Sequence, residues 1–450
     1  MNINIRRAIA LGFIIAFFIT APLLILYTAG FRYNFKKAQV QRTGTLIIKT
    51  TPKSAQVSLN GKALTATTPI RENNILPDDY TIKITKEGYY PWQKKLAIKQ
   101  QETTFIEDVI LFPQSQAEKI SDNNITTLSL SPGGSYALIG TKEFNQDFLY
   151  LLNLNNFRQK LIYNDDKIWT NLSILWSKDD SKALINIDNN LIVATTTFPQ
   201  QKTDLTKQLS LVPDETTKFK WNEDDSNILY WQDKTTIYEI NLLAQTNTKI
   251  FKSSNNETFS DFLVKTDELY LVEDINGTEF LTKQKLNDPK KLAAIELKSA
   301  DYTICGFIQN RLALFEGNYK TLFLFSPELD RIVFSKENVQ TIELANQDSL
   351  LAITTGQEIS YLELGASELS EKNITRYSNG LSTAHWAHAT ANYLYALQDN
   401  KISVLELDNR DKRFTLEFPI KNIREFTINS NDEAIIFLQD NYLYQLPIVK

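Results

Sequence analysis

The first pattern along the chain is an uncharged stretch of apolar residues, 8–31, which lies between Arg7 and Arg32. At ~1.5 Å per residue this stretch forms a helix of roughly 36 Å, and a bilayer core is about 30 Å thick. The pattern therefore predicts a transmembrane helix over residues 8–31. A cleaved signal peptide is the alternative, because small residues follow Tyr27. However, the apolar region is longer than the ~7–15 residues of a signal core.

A basic segment, residues 32–43, follows the apolar stretch, and the first acidic residue of the chain is Glu72. Its cations are Arg32, Lys36, Lys37 and Arg42. We interpret this segment as a short juxtamembrane stalk that rests on anionic headgroups. The cations on both sides of the span slightly favour a cytoplasmic bulk, but the positive-inside rule is weak when a large domain follows a short tail.

Alternation of apolar and polar positions begins after the stalk. In residues 80–85 every second residue is apolar, which is typical of a half-buried strand. Similar runs separated by turn residues predict further strands at 45–50, 55–60, 96–99 and 105–112. No segment with helical periodicity interrupts them, so residues 44–113 are predicted to form a small all-β sandwich.

The turns of this region resemble those of the PEGA domain family. The resemblance rests on Gly44, residues 51–55, Asn60 with Gly61, Thr68 with Pro69, residues 76–80, and Gly88 with Tyr89. Ser54 and Asp79 depart from the family pattern, since glycine is common at both positions. The resemblance implies an extracytoplasmic surface module, often tethered beside a membrane helix, without catalytic residues of its own.

From residue 117 to residue 450 a pattern of strand, polar turn and strand recurs at intervals of roughly 36 to 46 residues. The repeats start close to Leu130, Trp176, Trp221, Phe262, Phe307, Ile342, Trp386 and Phe426. Several share a turn between their first two strands, at residues 131–135, 177–181, 222–226 and 429–433. These turns resemble WD40-like and TolB-like repeats. We therefore predict an eight-bladed β-propeller over 117–450, with seven blades as the alternative, joined to the sandwich near residues 113–116.

The two ends of the repeat region predict how the ring closes. The final repeat supplies three strands, at 423–428, 434–438 and 442–448, whereas residues 117–121 form a strand-like run before the first repeat. An open ring would expose unpaired strand edges. We therefore expect 117–121 to pair with the final repeat as its outer strand.

Composition narrows the function. The net charge of −5 and pI near 5.4 argue against nucleic acid as a partner, because nucleic-acid binders carry a basic face. The single cysteine, Cys305, excludes an intramolecular disulfide framework, and its apolar neighbours predict a small buried core residue.

Two sets of polar residues are candidate metal ligands. His385 and His388 flank Trp386, but at this spacing on a strand they point to opposite faces. The pairs Asp179 with Asp180 and Asp224 with Asp225 lack the alternating oxygen ligands and glycine of a calcium loop. We interpret these acids as solvated turn residues whose side chains bond nearby backbone, and we predict no metal site.

Five tryptophans are candidates for a sugar-stacking surface: Trp169, Trp176, Trp221, Trp231 and Trp386. Three of them occupy equivalent positions in the repeats, which favours blade cores instead. The sequence shows no glycine-rich phosphate loop, nucleophile elbow or paired His and carboxylate set. We therefore predict no catalytic residues and no cofactor.

These patterns favour a binding or scaffold protein rather than an enzyme. We predict a single-pass protein of a bacterial cell envelope, with most of the chain outside the cytoplasm. Its expected partners are the membrane and an envelope protein or a cell-wall or surface polysaccharide. The alternative is a propeller hydrolase or lyase with a site in the central channel, which requires several channel-facing carboxylates with a His or Arg.

Overall fold

A computed structural model describes residues 3–449 except 36, 144, 166, 210, 212, 214–216, 234, 254–256, 287, 346–348, 367 and 379. The chain divides into two compact units. Unit 1 comprises Met1–Ser115, Asp408–Phe414 and Ile448–Lys450, and unit 2 comprises Gln116–Leu407 and Thr415–Pro447.

Unit 1 begins with helix α1, Ile3–Thr28. Its stretch Ile9–Thr28 is long and apolar enough to cross a membrane, and none of it is buried within the protein. The helix begins five residues before the predicted span 8–31 and ends three residues before the end of that span. It ends early because Gly30 adopts a left-handed backbone conformation, with φ of +83°, and Phe31 already starts a strand.

The segment predicted as a stalk, 32–43, forms an antiparallel hairpin of β1 (Phe31–Asn34) and β2 (Gln39–Arg42). Lys36 of this segment lies outside the described residues. Both the amide and the hydroxyl of Thr43 donate to the carbonyl of Gly30 at 3.0 Å, so the hairpin closes where the helix ends.

The sandwich of unit 1 contains two sheets with the strand orders β6-β3-β9 and β5-β4-β7-β8. Its strands are β3 (Gly44–Thr51), β4 (Gln56–Leu59), β5 (Lys62–Thr67), β6 (Ile70–Ile75), β7 (Asp78–Thr85), β8 (Trp92–Ile98) and β9 (Thr103–Ile110). Strands β3 and β9 run parallel, and the other pairs are antiparallel. Leu46, Ile84 and Trp92 belong to the core between the sheets. The sequence pattern missed β5 and β6, because β5 is exposed along almost its whole length and polar side chains dominate β6.

The segment Asp408–Phe414 also belongs to unit 1. The ammonium group of Lys94, which is fully buried, donates to the carbonyl of Asp408 at 2.6 Å and lies 3.2 Å from its carboxylate. Arg410 donates to the same carboxylate at 2.8 Å. Burial opposes ionisation of Asp408, but the bonds from Arg410 and the charge of Lys94 outweigh it and lower the pKa to about 2.

Unit 2 contains eight four-stranded sheets among its described residues, the arrangement of a β-propeller. Sheet 8 includes the short strand β10 (Glu118–Lys119), described below. Sheet 1 consists of β11 (Ile125–Leu130), β12 (Tyr136–Glu143), β13 (Gln146–Asn153) and β14 (Gln159–Asn164), and sheet 2 of β15 (Leu172–Trp176), β16 (Lys182–Ile187), β17 (Asn190–Thr195) and β18 (Thr203–Asp204). Sheet 3 consists of β19 (Lys218–Trp221), β20 (Ile228–Gln232), β21 (Thr236–Asn241) and β22 (Thr246–Lys252), and sheet 4 of β23 (Thr258–Lys265), β24 (Glu268–Ile275), β25 (Thr278–Lys285) and β26 (Asp288–Glu296). A short helix, α2 (Leu205–Leu209), follows β18.

Sheets 5 to 7 follow the same order. Sheet 5 consists of β27 (Tyr302–Ile308), β28 (Arg311–Glu316), β29 (Thr321–Phe325) and β30 (Ile332–Lys336). Sheet 6 consists of β31 (Val339–Leu344), β32 (Leu350–Thr355), β33 (Glu358–Glu363) and β34 (Glu371–Arg376). Sheet 7 consists of β35 (Leu381–Trp386), β36 (Tyr393–Gln398), β37 (Lys401–Glu406) and β38 (Thr415–Glu417). Apolar side chains from neighbouring sheets form the cores of unit 2, as where Ile139 of sheet 1 packs with Ala434 and Ile436 of sheet 8.

Sheet 8 joins the two ends of the propeller. It consists of β39 (Ile423–Ile428), β40 (Ala434–Gln439) and β41 (Tyr442–Pro447), with β10 as its outer strand. Glu118 pairs with Gln445, and the hydroxyl of Ser121 accepts a hydrogen bond from the amide of Leu443 at 2.8 Å. The predicted pairing of residues 117–121 with the final repeat is therefore confirmed.

Candidate functional site

Unit 2 has a cleft of about 1590 Å³ between sheets 5 and 6. Its walls come from the turns after β28 and β32 and from the connections that lead into β27 and β31. We call this surface the sheet 5–6 cleft. Its lining includes three cations, Lys298, Lys320 and Arg376, which are all exposed.

A buried carboxylate shapes one wall of the sheet 5–6 cleft. Glu316 ends β28 and is almost fully buried, and its two oxygens accept hydrogen bonds from the amides of Asn318 and Tyr319 at 2.8 and 2.9 Å. These bonds hold the turn that presents the Tyr319 ring, which is 74% exposed. The turn therefore places an aromatic ring at the cleft and fixes its backbone.

The opposite wall is polar and charged. Lys336 contacts the carboxylate of Glu358 and lies 2.7 Å from that of Glu371. Burial disfavours the charged form of Lys336, but its bonds to both glutamates outweigh burial and raise its pKa. With an exposed aromatic ring facing charged and amide groups, the cleft can bind a polar polymer or a peptide by stacking and hydrogen bonding. The sequence patterns missed this cleft, because its residues come from two different repeats.

The first strands of the sheets converge at the centre of the propeller. The ammonium group of Lys220 in sheet 3 lies 2.8 Å from the Asp261 carboxylate in sheet 4 and donates to the carbonyl of Ile304 in sheet 5 at 2.8 Å. The same Asp261 oxygen accepts the amide of Ile304 at 2.6 Å. Burial lowers the pKa of Lys220, and the Asp261 charge opposes that shift. This buried ion pair links three sheets.

Cys305, predicted to be a buried core residue, is exposed. Ile304 and Gly306, its neighbours in β27, are buried instead. Successive side chains of a strand point to opposite faces, so the apolar neighbours occupy the buried face and Cys305 takes the other.

The sequence did not predict a second central cluster, which surrounds Glu343 in β31. One oxygen of Glu343 lies 2.6 Å from Nδ1 of His385, and the other accepts the amide of Trp386 at 2.9 Å. Strand β39, the first of sheet 8, carries Glu425, whose pKa is raised by burial although the nearby His385 and Arg424 oppose that shift. The cluster therefore joins two carboxylates and an imidazole on three neighbouring strands.

The second histidine, His388, has other partners. Its amide donates to Asp432 at 2.8 Å, and its Nε2 lies 3.2 Å from the carbonyl of Ile428. Both histidine rings contact the first strand of sheet 8, His388 at Ile428 and His385 at the Phe426 ring, but only His385 also contacts Glu343 of sheet 6. Within the part of the chain that the structure describes, no three His, Cys, Asp or Glu side chains group as metal ligands.

The acidic turn residues differ among themselves. Asp179 accepts hydrogen bonds from Ser177 and Ser181 of its own turn, and these outweigh the opposing effect of burial and lower its pKa to about 2. Asp224 and Asp225 lie exposed in a turn organised by local bonds.

Asp180 departs from the solvated-turn interpretation. It is buried, and its carboxylate accepts bonds from Ser131 Oγ and the Gly133 amide at 2.8 Å in sheet 1. Asp180 therefore bridges two sheets, because its left-handed backbone aims the side chain at the neighbouring turn rather than at its own.

Three tryptophans connect neighbouring sheets, at the equivalent positions noted in the repeats. The indole N–H donates to the preceding sheet in each case: Trp176 to Ser129 Oγ at 3.1 Å, Trp221 to the Leu175 carbonyl at 2.9 Å and Trp386 to the Glu343 carbonyl at 3.1 Å. Trp221 and Trp386 are buried and Trp176 is half-buried against the core of its blade, which agrees with the blade-core interpretation. Trp169 and Trp231 are partly exposed. Their indole N–H groups donate hydrogen bonds to nearby side chains, that of Trp169 to Asp165 and that of Trp231 to Asn247 of the same sheet.

Comparisons with known proteins find one family match and several distant structural similarities. The PEGA domain family model matches residues 43–110. No curated protein sequence matches the chain. Among solved structures, the Dos1 propeller is 11% identical with a TM-score of 0.48, over 75% of this chain and 95% of that one.

Two further solved structures are similar at the same level. The WD40 domain of SCAP from fission yeast is 10% identical with a TM-score of 0.47, over 74% of this chain and 95% of its own. Oligogalacturonate lyase in complex with manganese is 10% identical with a TM-score of 0.41, over 75% and 94%. The apolar helix at the N-terminus is thus followed by a PEGA domain at residues 43–110 and then by a β-propeller.

Proposed function

We propose that this chain is a membrane-anchored, extracytoplasmic binding protein of the cell envelope, and that the sheet 5–6 cleft is its binding site. The observation that carries the proposal is the exposed ring of Tyr319, held by the buried Glu316 at the edge of a large polar cleft. The PEGA domain beside an apolar helix supports the extracytoplasmic location.

The chemistry of the cleft favours a polymer with both charged and hydroxyl or amide groups. Lys298, Lys320 and Arg376 attract carboxylates, whereas Glu337 and Glu358 accept hydrogen bonds or cations. A peptide of an envelope protein and a wall polysaccharide that carries peptides or acidic sugars both present such groups. Because exposed charges contribute to this recognition, we expect binding to weaken as salt rises.

Site-specific crosslinking tests this site. A photoreactive phenylalanine replaces Tyr319 in the full chain, and intact cells are irradiated. Phe198 serves as the matched control, because it is another exposed aromatic residue of unit 2 that lies outside the cleft. We expect a discrete adduct, an envelope protein or a wall fragment, from position 319 and none from 198. Equal adducts, or none from 319, would contradict the assignment of the cleft.

Protease accessibility tests the topology. The proposal places the amino terminus inside and the bulk of the chain outside. Protease added to intact cells, after any outer barrier has been removed, should therefore degrade unit 2. If unit 2 resists the protease until the membrane is lysed, the bulk of the chain lies inside and the proposed orientation is wrong. Sequencing the amino terminus of the mature protein distinguishes a retained anchor from a cleaved signal peptide.

The cluster of Glu343, His385 and Glu425 favours a second candidate, a hydrolase or lyase with a central site. A carboxyl group whose pKa is raised by burial can act as a general acid, while a His paired with a carboxylate can act as a base. Purified protein incubated with wall polysaccharide should then release new chain ends, and Glu425→Gln should abolish release. The exposed Glu118→Gln is the control. If the protein releases no new chain ends above background, the hydrolase or lyase function is refuted.

A further inference from the structure

The hairpin β1–β2 has one apolar face and one polar face. In its register Tyr33 pairs with Val40 and Phe31 pairs with Arg42, so these four side chains share a face. The opposite face carries Asn34, whose amide donates to the side chain of Gln41 at 3.0 Å. The apolar residues thus gather on the face that lacks this polar bond.

The apolar face is open to solvent. Phe35 is 87% exposed, and Tyr33 and Val40 are exposed as well. The rings of Tyr33 and Phe35 meet edge to face with centroids 4.9 Å apart, which makes one continuous aromatic patch. Isolated two-stranded hairpins are marginally stable in water, so a hairpin with this patch gains stability when an apolar environment covers it.

The hairpin is fixed to the end of the apolar helix. The guanidinium of Arg32 lies 3.6 Å from the centroid of the Tyr27 ring and donates to the Tyr27 carbonyl at 2.7 Å. These contacts, together with those of Thr43 with Gly30, hold the patch next to the helix terminus that emerges from a bilayer. The patch therefore continues the apolar surface of α1.

The charges around the patch match an anionic surface. Arg42 shares the apolar face, Lys37 lies exposed in the turn, and the sequence contains no acidic residue before Glu72. Aromatic residues bordered by Arg and Lys are typical of segments at the level of lipid headgroups.

We propose that the hairpin β1–β2 is an interfacial membrane-binding element: Tyr33, Phe35 and Val40 insert at the headgroup boundary, and Arg42 and Lys37 contact anionic lipid phosphates. This inference rests on the proposed membrane anchor. It gives the segment after the helix a second function, because insertion of the patch restrains the rotation and tilt of the hairpin and of the chain that follows it.

Single fluorescent labels test the proposal in the full chain reconstituted into vesicles. Cys305→Ser removes the single native cysteine, and cysteines are then introduced by Phe35→Cys, Gln39→Cys or Ile15→Cys. Each protein carries an environment-sensitive dye, and spin-labelled lipids serve as quenchers. Gln39 is the matched control, because it is exposed on the polar face of the same hairpin.

We expect lipid quenching at position 35, as at position 15, and little at 39. Quenching at 15 without quenching at 35 refutes the hairpin inference and leaves the anchor intact. Absence of quenching at 15 refutes the anchor itself. A blue-shifted dye at 35 that spin-labelled lipid does not quench indicates that protein, including a second copy of this chain, covers the patch, and this too overturns the proposal.

Lipid composition tests the role of charge. Each basic side chain near an anionic surface contributes ~1 kcal/mol, so Arg42→Gln should reduce the inserted-to-free ratio of the hairpin about fivefold in anionic vesicles. The same substitution should change little in zwitterionic vesicles. Equal quenching at position 35 with and without anionic lipid, in both variants, would refute the contact with lipid phosphates.

Discussion

Closure of the propeller by the outer strand of sheet 8 can be tested by removing one side-chain hydroxyl group. The hydroxyl of Ser121 is buried and accepts the amide hydrogen of Leu443 at 2.8 Å. Ser121→Ala removes this acceptor and leaves a buried donor without it, which costs ~1–3 kcal/mol. The substitution leaves the other bonds of the run in place, including that from the Ile120 amide to the Leu443 carbonyl at 2.9 Å.

Hydrogen exchange measures the effect where it occurs. If the edge of sheet 8 opens locally, a loss of ~1–3 kcal/mol raises the exchange rate of the β41 amides about 5- to 150-fold. Peptides from other sheets should keep their protection. Ser370→Ala, in an exposed loop, is the control and should change nothing in β41.

Truncation extends the same test. A chain that begins at Asn123 lacks residues 117–121, exposes the edge of β41 and should aggregate or melt at a lower temperature than one that begins at Gln114. Unchanged protection of β41 in Ser121→Ala, together with equal melting temperatures of the two truncated chains, would refute closure by this strand.

Three further predictions concern buried polar contacts. Trp386→Phe, which breaks the bond to the preceding sheet, should destabilise unit 2 by ~1–3 kcal/mol in chemical denaturation, and Trp231→Phe, at a partly exposed indole, should cost less. Asp261→Asn leaves the buried ammonium of Lys220 without its counter-charge and should cost ~3–5 kcal/mol, whereas adding Lys220→Met to Asp261→Asn, which removes the unpaired charge and keeps an acceptor for the Ile304 amide, should recover part of the loss; a double variant no more stable than Asp261→Asn would contradict this. The folded-state pKa of Asp408 is about 2 against a usual 3.8, so the ionised carboxylate stabilises unit 1 by up to ~2 kcal/mol at neutral pH. This contribution should disappear as pH falls from about 5 to about 2, and the stability difference between the native chain and Asp408→Asn should shrink over that window when unfolding is followed at each pH.

Features with a short period or a regular repeat were predictable from the chain. Alternation in residues 80–85 indicated β7, and the repeated turn at 177–181 indicated the junction of β15 and β16. Even the closure by residues 117–121 followed from sequence, because counting strands in the final repeat showed one missing. Such inferences succeed because strand periodicity and turn chemistry act between near neighbours.

Contacts between repeats lay beyond the sequence pattern. Asp180 has the same chemistry as Asp179, yet one bridges two sheets and the other serves its own turn. The pairing of Glu343 with His385 likewise depends on which strands become neighbours after the ring forms. The direction of a side chain across a sheet interface depends on register, bulges and sheet twist, and these arise from packing of the whole unit rather than from local preference. The chain therefore encodes its strands and their order locally, while its cleft and its central clusters emerge from long-range packing.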